Sequence, residues 1–215
     1  SPPRSGLDVQ RVTLPSAEEP IVGRSVTAVG WEFTNPGEYQ PPQPLVFGVV
    51  ERQGEWLRVQ LPVRPNGTTG WLRAQDVVVT STSRSIQVSL SERRLRVVDA
   101  GVELMDVPAG IGRSATPTPT GTFTVTDLVP STNPAGGYGP VALALDGYSE
   151  VMDAFPGEND GDAPDTMAPV LAVHGTNRPS SVGADRSNGC PRLYNADVLR
   201  LAELAPAGTP VQIWP

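Results

Sequence analysis

Two side chains of this 215-residue chain could work as a nucleophile and its base: Cys190, the only cysteine, and His174, the only histidine. A thiol with an ordinary pKa of about 8.5 is mostly protonated at neutral pH, and an adjacent imidazole raises the reactive thiolate fraction. His174 follows directly on the apolar run Val170-Leu171-Ala172-Val173, where a buried strand would open into a cleft. Fifteen residues separate it from Cys190, with Pro179, Gly183 and Gly189 among them, enough for a loop to bring the chain back beside the imidazole. Gly189 lets a substrate approach the backbone, and the amides of Asn188, Gly189 and Cys190 could meet a developing oxyanion. Pro191 has no amide hydrogen and cannot join them. Residue type alone leaves the pair below the plainer alternative, in which a lone cysteine is a small buried hydrophobe and a lone histidine a satisfied polar group.

Other chemistries are excluded more firmly. All sixteen basic residues are arginine, so neither a Schiff-base lysine nor a phosphate-loop lysine exists. Gly110-Ile111-Gly112-Arg113-Ser114-Ala115 fits a dinucleotide fingerprint on paper. Pro117 and Pro119 follow at once, however, and deny it the helix that would face a pyrophosphate. No G-x-S-x-G elbow is present, and one histidine with one cysteine makes a poor zinc site, so no metal and no organic cofactor are expected. A net charge of −7 and a pI near 4.7 speak against nucleic acid as a partner.

The elements that must position the pair read as strands. Glycine and proline number 22 and 24, a density that breaks long helices, and the expected fold class is mostly β. Residues 1–20 read as an extended leader and 21–80 as a small unit of short strands. Pro65-Asn66-Gly67 is a turn signal within that unit. It sets Trp56 and Trp71 on neighbouring strands, where shared core packing is the plain account. Thr80-Ser81-Thr82-Ser83 reads as the boundary before a second unit, 84–215. That unit opens with a hairpin, Ile86–Leu90 and Leu95–Val98, and continues with strands at 122–125, 141–145, 170–173 and 211–214. One helix follows Asn195, which suits its N-cap, and Pro206 and Gly208 close it. Ser149 to Thr166 holds six carboxylates and no base, and reads equally as a solvated surface loop or a lid.

The surroundings of the pair change its standing. Ser187-Asn188-Gly189-Cys190-Pro191-Arg192-Leu193, with His174-Gly175-Thr176 upstream, resembles the active-site signature of L,D-transpeptidases with the YkuD-type domain. Thr118-Pro119-Thr120-Gly121-Thr122-Phe123 is similar to a segment of that family, and the resemblance spans about residues 84–215. The run Gly54 to Val59, with Gly67 to Leu72, resembles the bacterial SH3-like modules of cell-wall enzymes. Together they imply a small N-terminal SH3-like barrel followed by a β-rich catalytic domain with one or two short helices.

The resemblance implies a peptidoglycan transpeptidase that is exported to the cell wall. Cys190 would form a thioester with the third residue of a stem tetrapeptide. His174, oriented by the Gly175 carbonyl, would move the protons, and Asn188, Gly189 and Cys190 would supply the oxyanion amides. Arg192, Ser187, Asn195 and Tyr138 are expected at the substrate face, and carbapenem β-lactams as covalent inhibitors. Two departures stand out: Asn188 replaces a family histidine, and Pro191 an aliphatic residue. A hydrolase of L,D-carboxypeptidase type and a catalytically weak wall-binding protein remain as alternatives.

Overall fold

The computed structural model describes residues 44–153 and 170–215, together with the backbone of three strands before them. Those three are β1 (Val9–Thr13), β2 (Ser25–Ala28) and β3 (Trp31–Thr34). The N-terminal unit continues with β4 (Val46–Gln53), β5 (Trp56–Gln60), β6 (Thr69–Arg73) and β7 (Val78–Thr82). Five of these form an antiparallel sheet in the order β6-β5-β4-β1-β7, and β2 pairs with β3. Part of the expected leader is therefore a strand inside the sheet; the rest of it lies outside the described residues. The polar boundary is shorter than its composition suggests, since β7 runs to Thr82 and only Ser83 separates it from the next strand.

Alternation along β5 decides what the small unit buries. Leu57 and Val59 point inward with Phe47, Leu61, Leu72 and Val77, as a period of two requires. Trp56 and Trp71 do sit on neighbouring strands, paired with Arg73 and Arg58 in the β5–β6 ladder, but on the opposite face. Shared core packing is thus the wrong account of them: Trp56 is 40% exposed, with the Arg73 guanidinium 5.2 Å from its ring centroid.

The second unit is built on β8 (Arg84–Ser89), β9 (Arg94–Asp99), β10 (Val102–Pro108), β11 (Ile111–Gly112), β12 (Gly121–Pro130), β13 (Val141–Tyr148), β14 (Val170–His174), β15 (Asp185–Ser187) and β16 (Pro210–Trp214). Its seven-stranded sheet has the order β10-β9-β8-β16-β12-β13-β14, so β14 is an edge strand, and β16 lies parallel to β8. Ala100 and Gly101, with φ of 48° and 85°, supply the pair of left-handed residues that a two-residue hairpin between β9 and β10 favours. Ile86, Val88, Leu95, Val97, Phe123 and Leu143 fill the core, each burial worth roughly 1.5–3 kcal/mol. Helix α1 (Asn195–Leu204) lays Val198 and Leu201 into the same core and packs against β13 and β14. Where the dinucleotide fingerprint would need a helix, the chain forms the short strand β11, paired in parallel with β15. No helix among the described residues is long and apolar enough to cross a membrane.

Candidate active site

Main-chain pairing brings His174 and Cys190 onto the same edge. Beyond β14 the sheet gains one more rung: the His174 amide donates to the Pro191 carbonyl at 3.2 Å, and the Leu193 amide donates to the His174 carbonyl at 2.9 Å. This parallel bridge sets His174 against Arg192 and runs the chain back along β14 toward Cys190. The thiol lies against the β14 backbone, with Sγ 3.9 Å from the Val170 carbonyl. The other side of the returning segment is held by a pair of 2.8 Å bonds between Arg192 and Gly110. A Cβ on Gly110 would come within 2.2 Å of the Ser181 carbonyl, so only glycine fits there.

The imidazole is held in one tautomer. Nδ1 of His174 is 2.6 Å from the Gly175 carbonyl oxygen, which can only accept; Nδ1 therefore carries the proton and Nε2 presents a lone pair. Burial, reinforced by the nearby Arg192 charge and opposed by this hydrogen bond, pushes the imidazole pKa down to about 4. Burial likewise pushes the Cys190 thiol above the usual thiol range, against a backbone hydrogen bond from Ala172 and the charge of Arg192. At neutral pH both the thiol and the imidazole are therefore neutral at rest.

Gly175 is placed by Asn195. The Asn195 Oδ1 accepts from the Thr176 amide at 2.8 Å, and Gly139 closes the same knot from the other side. A Cβ on Gly175 would meet Asn195 Oδ1 at 2.4 Å and the Gly139 Cα at 3.1 Å. The expected capping role of Asn195 is corrected here. Asn195 is the first helical residue, Tyr194 occupies the cap position, and the Asn195 oxygen serves the turn after β14 instead of its own helix. Tyr138 stands over the imidazole with ring centroids 4.8 Å apart and planes tilted by 51°.

The loop before the thiol rests on the segment after β11. The Ser187 carbonyl accepts from the Arg113 amide and the Thr116 hydroxyl, both at 3.2 Å, and the Gly112 amide donates to Thr118 Oγ1 at 2.9 Å. Ser187 itself is buried, and its hydroxyl accepts from the Gly189 amide at 3.0 Å, so one of the three expected oxyanion donors is occupied in this state. Asn188 is half-buried and, with Cys190, Pro119, Ser149 and Val170, lines a shallow concavity open to solvent. Arg192 is half-buried, and its Nε lacks a hydrogen-bond partner among the described residues. Residue types alone did not single out Gly139 or Thr116, whereas Thr118 and Pro119 fell in the segment likened to the family and Ser149 opened the acidic run. The acidic run is described as far as Asp153, and its remaining carboxylates lie outside the described residues. No group of three or more His, Cys, Asp or Glu able to hold a metal occurs among the described residues.

The YkuD protein of Bacillus licheniformis, named as an L,D-transpeptidase, is 35% identical over 130 residues, covering 60% of this chain and 65% of its own. Its namesake in Bacillus subtilis is 28% identical over 137 residues, covering 64% of each chain. The chain thus spans just under two thirds of the length of these relatives. An L,D-transpeptidase from Mycobacterium smegmatis superposes with a TM-score of 0.47 at 17% identity, covering 96% of this chain and 82% of that one. Residues 83–213, more than half of the sequence, match the YkuD family description, L,D-transpeptidase catalytic domain, and the chain belongs to that family.

Proposed function

We propose that the chain is a peptidoglycan L,D-transpeptidase with Cys190 as nucleophile. The observation that carries this reading is the 2.6 Å contact between His174 Nδ1 and the Gly175 carbonyl, on the strand end that pairs with the cysteine segment. It leaves Nε2 as the only proton acceptor on the imidazole. In the first half-reaction the thiol proton passes to Nε2 as sulfur adds to the carbonyl carbon of the third residue of a stem tetrapeptide. The C–N bond then breaks, the terminal D-alanine leaves with the proton from His174, and a thioester remains. In the second half-reaction an acceptor amine gives its proton to Nε2 and adds to the thioester; the C–S bond breaks, and the proton passes from Nε2 to the departing sulfur, which restores the thiol.

A neutral resting pair suits this scheme, because the sulfur need give up its proton only as it adds to the donor carbonyl. The amides of Asn188 and Cys190 serve the oxyanion; that of Gly189 joins them once Ser187 Oγ releases it. Arg192 and Tyr138 flank the reacting centre on the substrate side. Asn188, in place of the family histidine, supplies a hydrogen-bonding amide without a second titrating group. The enzyme acts at the exported cell wall, with the N-terminal unit serving as an SH3-like positioning module.

The test is incubation with a carbapenem followed by intact-mass measurement. A stable one-to-one adduct is expected on the parent chain and none on Cys190→Ala. No adduct on the parent under any condition would sink the reading.

A further inference from the structure

The strand pair that walls the thiol concavity is held at its open end from outside its own sheet. β13 and β14 end their ladder at Tyr148 and Val170, and between Ala144 and that last pair the register slips through a bulge. On the other side of β13, the β12 ladder stops at Val125 and Leu145. Tyr148 is therefore left without a strand partner on that edge, and an unpaired edge of this kind is locally weak. Both of its main-chain groups are nevertheless satisfied. The side-chain amide of Asn66, from the N-terminal unit, donates to the Tyr148 carbonyl at 2.9 Å, and its oxygen accepts from the Tyr148 amide at 2.8 Å. One side chain takes the place of a missing strand.

Arg64 adds to this hold. Its guanidinium donates to the Ser149 carbonyl at 2.8 Å, to the Met152 carbonyl and to Asp153 Oδ1 at 2.9 Å, and lies 5.8 Å from the Tyr148 ring centroid. The Tyr148 hydroxyl returns a bond to the Pro62 carbonyl at 2.8 Å. The Asp153 side chain is fully exposed, so its ion pair contributes little, and the weight falls on the bonds to main-chain carbonyls. Two residues at this neck reach the reaction centre directly: Ser149 and Val170 both line the concavity with Cys190, and the Val170 carbonyl is the one against Sγ.

We propose that Arg64 and Asn66 of the N-terminal unit are positioning residues for the thiol concavity, holding the Tyr148–Val170 neck so that a donor chain docks with its carbonyl in reach of Cys190. The docking step rests on the transpeptidase reading; the hold on the neck does not. It gives the N-terminal unit a part in the chemistry of the second unit that neither unit shows alone.

The experiment uses the full chain with Asn66→Ala, Arg64→Ala and Arg64→Lys. Three readouts are taken: iodoacetamide alkylation of Cys190 by mass, amide hydrogen exchange, and kcat and KM with a tetrapeptide donor. Losing the paired bonds of Asn66 should speed alkylation and exchange at 149–153 and 170–172 by about tenfold, with amides of the β8–β16 pair unmoved. Donor KM should rise by a similar factor with kcat less affected, and Arg64→Lys should lie between parent and Arg64→Ala. Alkylation and local exchange within about twofold of the parent in both alanine variants, below the effect of one lost hydrogen bond, would overturn the proposal. These two readouts need no turnover, so a parent chain inert toward the donor counts against the transpeptidase reading and leaves the hold on the neck to be judged on its own. If Asn66→Ala does not fold, Asn66→Asp, which keeps the acceptor for the Tyr148 amide and loses the donor to its carbonyl, is read in the same way.

Discussion

At the scale of single residues, the site depends on two groups that are both neutral at rest. A thiolate–imidazolium pair would make alkylation of Cys190 level off between about pH 5 and 8, because the thiolate would already be present throughout that range. Here the imidazole is pushed down to about 4 and the thiol upward, both by burial. The iodoacetamide rate in the free protein should therefore climb about tenfold per pH unit across that range and still be rising at about pH 9. A plateau at neutral pH would show that the resting pair is ionised. The Gly175 carbonyl that orients His174 gives a second prediction. Gly175→Ala forces a methyl group into the Asn195 oxygen and the Gly139 backbone, so the carbonyl must shift. Thermal melting should show a loss of about 1–3 kcal/mol, and carbapenem acylation should fall by more than that loss of folded protein explains. Cys190 and His174 were singled out by the motif around them, because being the only residue of its kind left each below the plainer reading. The knot of Gly139, Gly175 and Asn195 was not, since an asparagine ahead of a helix reads the same whether its oxygen serves the helix or a distant turn.

At the scale of elements, the site is a strand end completed by a loop, and the two parts differ in how far the sequence disclosed them. β8, β9, β14 and β16 follow from alternation and apolar runs, because a strand with one buried face must repeat every two residues. The support beneath the loop at 185–190 comes instead from hydrogen bonds between hydroxyls and main chain, which leave no periodic trace. Thr118 shows this: it is 4% exposed, and its Oγ1 accepts from the Gly112 amide in the turn that also holds the Ser187 carbonyl. Thr118→Val keeps the shape and removes the acceptor. The stranded amide should cost about 1–3 kcal/mol by chemical denaturation, and the loosened loop should slow acylation of Cys190. Unchanged stability would mean that the Gly112 amide finds another partner.

At the scale of the whole molecule, the two units meet too closely to act as beads on a string. The Gln60 side chain donates to the Thr122 carbonyl at 3.0 Å, and a Cβ on Gly48 would lie 2.2 Å from Thr124 Oγ1. Nothing in the composition of either unit announced this junction, because it is made by residues far apart in sequence whose types are ordinary. Beside it lies Asp146, 1% exposed, with Oδ1 accepting from the Thr124 amide at 2.7 Å and Oδ2 without a partner among the described residues. Burial raises its pKa from 3.8 to about 7, so the fold favours the protonated carboxyl. Below about pH 4 the folded and unfolded states both hold the proton and this group is neutral to stability. Between about pH 4 and 7 the unfolded chain gives up its proton while the folded chain keeps it, so stability falls as pH rises; above about pH 7 both are ionised and the loss is complete. Asp146→Asn imitates the protonated form at every pH. Its melting temperature should match the parent near pH 4 and exceed it by several degrees at pH 8. Parallel curves for the two proteins from pH 4 to 8 would place the proton on Asp146 no more firmly in the fold than in the unfolded chain, and the junction would then have to accommodate a charge.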